Sequence, residues 1–137
     1  MSDEHERIKS SPGWKLFQEI HRGSGAEERL VEFFKDFPGM LTYEAEFAYD
    51  MWTRPGLDLK ARSMITLAAL AALGTNPQQL QTHINAALNC GCTRVEIREL
   101  MMHLVVYLGF PRAMAGMYCA KEVFAARDKR GETDQVK

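Results

Sequence analysis

An imbalance of charge is the first thing this chain lacks: 17 Lys and Arg stand against 18 Asp and Glu, a formal net charge of −1. No basic excess is present to follow a phosphate backbone, and no acidic block marks an interaction tail, so the expected partners include no nucleic acid. Cysteine is scarce and odd in number, three in 137 residues, which excludes the disulfide framework of a small secreted scaffold. The amino-terminal stretch MSDEHERIKSS has no apolar core of the kind a signal peptide carries, and a reducing cytoplasm is the expected compartment. Long apolar runs are missing as well. The longest, Met64 to Leu73, is broken by Thr66 and falls well short of the ~20 residues a bilayer span needs, so it reads as a buried helix and no membrane partner is expected. No β-branched alternating run bounded by turn residues offers a sheet, and no solenoid-period repeat appears. G-x-G-x-x-G, Walker A, H-E-x-x-H and G-x-S-x-G are all absent, which removes the commonest arguments for nucleotide, zinc-protease and serine-hydrolase chemistry.

What is present is apolar content, 46% of residues, with helix punctuation that is legible from Pro55 onward. Asp58 is placed to cap a helix through Met64, Leu67, Leu70 and Leu73, which Gly74 ends. Asn76 and Pro77 open a second helix through Leu80, Ile84 and Leu88, stopped by Gly91. Thr93 with Glu96 forms a capping box for a third, carrying Ile97, Leu100, Leu104 and Leu108 to Gly109. Pro111 opens a fourth through Met114, Met117, Val123 and Phe124, which dissolves into the charged tail RDKRGETDQVK. Upstream, GAEERLVEFFKDF and MLTYEAEFAYDMW support amphipathic helices separated by the turn-like Phe37-Pro38-Gly39. The expectation is one all-α domain over 1–137, with an amino-terminal helical arm (1–39), a core (40–127) and a charged tail (128–137). The apolar surface exceeds what one face per helix needs, which points to self-association; a compact monomer with the Ala-rich helix at its centre is the competing reading.

Of the four histidines, His5 and His21 lie in polar surroundings and read as solvated. His83 and His103 sit inside helices among apolar neighbours, where an imidazole needs a partner. Glu96, Glu99, His103 and Tyr107 recur every three or four residues and share one side of the third helix. A carboxylate one turn before an imidazole suits a proton donor or base, although Glu96 is equally explained by the capping box and Glu99 by exposure. Arg54 and Arg62 flank the turn before the Ala-rich helix and suit a carboxylate anchor, with ordinary ion pairs to Glu46, Asp50 or Asp58 as the alternative. Cys90-Gly-Cys92 lacks the C-x-x-C spacing of a redox pair and any second ligand cluster for zinc; it and Cys119 read as structural filling, and no metal is expected.

Taken in order, R-P-G-L-D, R-S-x-x-T-L-A, H-x-x-A-A-L-N-x-G and E-I-x-E-x-x-x-H-x-x-x-Y-x-G-x-P resemble the carboxymuconolactone decarboxylase family, over roughly 47–124. The resemblance implies an all-helical fold of the alkylhydroperoxidase D-like type, assembly as a homotrimer or homohexamer, and cofactor-free decarboxylation of a carboxylated lactone. On matching positions it implies Arg54 and Arg62 as anchors for substrate carboxylates and His83 or His103 as proton donor, positioned by Glu99 or Tyr107. In the wider superfamily a C-x-x-C-x-x-x-H pair reduces peroxides; aligning that histidine with His83 puts Asn76 and Gln79 where thiols should be. A thiol-dependent hydroperoxidase and a silent oligomeric binding protein are the remaining alternatives. The sequence departs from the family at Tyr49-Asp50-Met51-Trp52, where a glycine-containing segment is common, and at His103, where glutamine is common.

Overall fold

A computed structural model describes residues 3–132. Among them the chain is helical throughout, with no strand, and no helix is long and apolar enough to cross a membrane. Packing divides it between Leu59 and Lys60 into two compact units, and the short helices over 40–52 pack with the amino-terminal ones.

The amino-terminal unit contains α1 (Asp3–Ile8), α2 (Pro12–Ile20), α3 (Ala26–Phe34), α4 (Met40–Tyr43), a π-helical turn (Glu44–Ala48) and α5 (Tyr49–Trp52). Ser11 starts α2, its hydroxyl accepting the Trp14 N–H at 3.1 Å with Pro12 in the first turn, where its missing donor costs nothing. Helix α2 then buries Trp14, Phe17 and Ile20. Phe17 stacks on Trp14 with centroids 4.8 Å apart and meets the edge of Tyr49 at 5.0 Å. Gly13 is required where α2 meets the π turn: a Cβ there would come 2.0 Å from the Ala45 carbonyl oxygen.

His5 and His21 correct the expectation of solvated side chains, being 6% and 4% exposed. His21 Nε2 lies 2.6 Å from the Tyr49 hydroxyl, and the His5 ring meets Trp14 edge-on at 5.6 Å, with Nε2 3.3 Å from Glu27 Oε1. Their neighbours in sequence are polar, but α1 and α2 turn both rings inward onto aromatics contributed from elsewhere in the unit.

The second unit is built on α6 (Leu59–Leu73), α7 (Pro77–Asn89), α8 (Arg94–Leu108) and α9 (Phe110–Lys129). The expected boundaries between Gly74 and Gly109 hold. Gly74, Gly91 and Gly109 all take positive φ, Asn76 Oδ1 accepts the Gln78 N–H at 2.8 Å, and the Thr93–Glu96 capping box is complete in both directions. Leu67, Ala71, Leu80, Ile84, Ala87, Ile97, Met101, Leu104, Val123 and Phe124 form the core. Gly116 lets α9 approach α8, since a Cβ there would meet Met101 Sδ at 2.5 Å. Two expectations change. Helix α6 buries only the stripe Ser63, Leu67 and Ala71 and leaves Ile65 and Leu73 exposed. Helix α9 does not end near Phe124 but runs to Lys129, because Arg127, one turn after Val123, reaches back across α7; the tail residues 133–137 lie outside the described residues.

Gly13→Ala is expected to destabilise the amino-terminal unit by about 2 kcal/mol or more, since the clash is with backbone and no side chain can yield. Urea unfolding followed by Trp14 fluorescence should show it, and an unchanged midpoint would mean that α2 and the π turn do not pack this closely.

Candidate functional site around His83

Helix α7 turns about 100° per residue, which separates its side chains into three faces. Leu80, Ile84 and Ala87 face the core. Gln81, Asn85 and Asn89 face α9: Gln81 hydrogen-bonds Glu122, and Arg127 Nη1 donates to Asn85 Oδ1 at 2.8 Å and Asn89 Oδ1 at 3.2 Å. His83 lies on the flank roughly opposite that clamp. The position is half-buried, and desolvation there pushes the imidazole down from 6.5 to about 4. The ring therefore stays neutral into the acidic range, where an exposed imidazole would be charged, since burial disfavours the charged form.

The remaining sequence candidates are distributed differently. Arg62 is half-buried on α6, in the same unit as His83, while Arg54 is exposed in the turn that ends the amino-terminal unit. On α8 the spacing does place Glu99, His103 and Tyr107 on one side, and the His103 and Tyr107 rings meet with centroids 5.2 Å apart. All three are exposed. Glu96, on the same side, is engaged elsewhere: it accepts the Thr93 N–H at 2.8 Å and pairs with Lys60 Nζ at 2.6 Å, and the Lys60 contact above all holds its carboxyl below the ordinary value. Tyr107 is 70% exposed, and the apolar Val106 and Phe110 nearby in the chain are 78% and 67% exposed.

The sequence reading missed Arg127, which belongs to a tail by composition but fixes the face of α7 opposite His83. The signal for it was its placement one turn beyond the core residue Val123, with an aliphatic stem able to lie along an apolar surface.

The sequence pattern of the carboxymuconolactone decarboxylase family matches residues 38–122. The chain belongs to that family. It is 40% identical over 98 residues to a 4-carboxymuconolactone decarboxylase of Acinetobacter baylyi, covering 71% of this chain and 70% of the relative. It is 36% identical over 83 residues to a nitrosuccinic acid decarboxylase of Metarhizium robertsii, covering 60% of this chain and 57% of that protein. A 15.0 kDa protein of Paracoccus denitrificans is 30% identical over 86 residues, 58% of this chain and 64% of its own length.

A thiol-dependent hydroperoxidase would need an activated thiol, and neither Cys92 nor Cys119 gives much support to one. Cys92 is buried with Sγ 3.9 Å from the Lys60 carbonyl oxygen. Cys119 is buried with Sγ 3.8 Å from the Pro77 carbonyl oxygen, and burial followed by the nearby Glu122 pushes its thiol up. A thiolate is the reactive form, so a raised pKa works against that chemistry. Among the described residues no group of three or more His, Cys, Asp and Glu side chains is arranged to hold a metal ion.

The depressed His83 pKa has a consequence for stability. In the unfolded chain the imidazole takes up its proton near 6.5, whereas in the folded chain it waits until about 4. Its effect is absent above the unfolded value, and stability drains away as pH falls between the two. Unfolding free energies from urea titrations between about pH 7.5 and about pH 4.5 should fall less in His83→Gln than in the native chain, by on the order of 1–2 kcal/mol at about pH 5. Identical pH profiles would contradict the desolvated ring.

Proposed function

We propose that the chain is a carboxy-lyase acting on 4-carboxymuconolactone or a closely related unsaturated lactone acid, with His83 at its reacting centre. The observation that carries this is the 40% identity to a 4-carboxymuconolactone decarboxylase over 71% of the chain; a neutral, desolvated His83 suits the same chemistry.

When the carbon–carboxylate bond breaks, carbon dioxide leaves and its bonding electrons pass through the ring double bond onto the lactone carbonyl oxygen. One proton then adds at carbon, and the enol-lactone results. The substrate is its own electron sink, so the protein's task is to hold the carboxylates, desolvate the departing one and stabilise the developing oxyanion. A neutral imidazole with its N–H directed at that oxygen supplies a hydrogen bond that strengthens as charge develops. A bound anionic substrate also raises the imidazole's pKa, which brings it toward the value a proton carrier needs. Arg62, in the same unit as His83, is the proposed carboxylate anchor. His103, with Glu99 and Tyr107, is the second proton-donor candidate. The exposed Val106, Tyr107, Phe110 and Tyr118 favour a homotrimer or homohexamer in which a neighbouring copy covers this face and encloses the stripe, since contiguous exposed apolar surface marks contact sites.

Carbon dioxide release from 4-carboxymuconolactone tests the reading. His83→Ala should lower the rate about a hundredfold or more while leaving the assembly's mass by light scattering unchanged. The Cys90→Ser, Cys92→Ser double variant should keep its rate within about twofold. Loss of turnover in the cysteine variant, or dithiol-dependent peroxide consumption, would favour the hydroperoxidase reading. No turnover with either substrate would leave a binding protein.

A further inference from the structure

On the side of α8 away from His103, a groove of about 480 Å³ runs between α8 and α9, within the size range of roughly 300–1,000 Å³ typical of small-molecule sites. Its floor is Met101, Met117 and Phe124; Met101 and Phe124 belong to the buried core. Its walls are unusual for an apolar groove. Arg94, Arg98 and Lys121 line it against a single carboxylate, Asp128, in a chain whose net charge is −1. Asp128 is already engaged, bonded to Arg94 Nη2 at 2.7 Å.

The guanidiniums of Arg94 and Arg98 each stand 5.3 Å from the Phe124 ring centroid, so the ring's face holds two like charges at the mouth of the groove. Among the described residues neither Arg98 nor Lys121 is paired with a carboxylate. Two unneutralised cations over a methionine and phenylalanine floor complement a flat apolar body that ends in an anion. Arg98 offers the planar fork that carboxylates accept, and Lys121 a second charge on the facing helix. The long, unbranched methionines let the floor adapt to a ring.

We propose that the α8–α9 groove binds a small aromatic carboxylate, at a site separate from the one around His83. It shares no residue with the site given above, because Arg94, Arg98 and Met101 lie about half a turn of α8 from Glu99, His103 and Tyr107. The proposal does not depend on the decarboxylase reading and is tested without turnover.

The probe is 2-naphthoate, with 2-naphthalenemethanol as its uncharged counterpart, titrated calorimetrically into the full-length protein. Saturable one-site binding is expected for the carboxylate, at least about tenfold tighter than for the alcohol and weakening with salt. Arg98→Gln and Lys121→Gln, both on exposed positions, should each weaken it roughly fivefold. Ala125→Phe, also exposed, should fill the groove and abolish binding without removing a charge, while His83→Gln leaves the affinity unchanged. Circular dichroism establishes that each variant is folded. Binding lost in His83→Gln but kept in the groove variants would overturn the proposal, because the anion would then occupy the other site. Equal affinity for the alcohol would reduce the groove to an apolar slot, and no saturable binding would mean that it is closed in the assembled protein; either result overturns it.

Discussion

The second unit depends on α7 being held on two faces at once. Leu80, Ile84 and Ala87 enter the apolar core while Arg127 hydrogen-bonds Asn85 and Asn89 from α9. Neither contact would fix the helix alone, since an apolar stripe tolerates rotation and a single arginine tolerates sliding. Together they set the helix's rotation, and its rotation sets where His83 stands. The low imidazole pKa comes from burial at the place this rotation gives the ring.

The second unit was largely legible from residue order. Its helices begin and end at local signals, Asn76-Pro77, Thr93 with Glu96, and glycines at positive φ, and such signals act within one turn, so no knowledge of tertiary contacts is needed to read them. The end of α9 was not legible that way. Its last turn is stabilised by Arg127's reach to α7, a contact across 38 to 42 positions that no local pattern encodes. The amino-terminal unit was obscure for the same reason. His5 and His21 are buried by partners such as Trp14 and Tyr49, and the π turn at Glu44–Ala48 fits where Gly13 permits a close approach, which is visible only once both segments are in place.

For the candidate site, what was legible is the position of its residues on their helices. His83 lies where helical spacing put it, with the burial that makes an imidazole chemically interesting. The α8 stripe also has the expected spacing, but Glu99, His103 and Tyr107 are exposed, because a periodic pattern defines which residues share a face and not what covers that face. Sequence alone did not reveal the groove on the opposite side of α8, whose charges become meaningful only when α9 brings Lys121 and Phe124 beside Arg98. One helix therefore presents two chemically distinct faces, an aromatic and imidazole stripe amid apolar surface and a cationic wall over a methionine floor.

The protonation state of His83 decides what this position can do, and an NMR titration of the imidazole ring measures it directly. With the His83 resonance assigned by its loss in His83→Gln, the free protein should keep this ring neutral until the pH falls to about 4, well below the ordinary histidine range. Titration of that resonance near 6.5 would show a solvated ring, and a site built on a desolvated His83 would be contradicted.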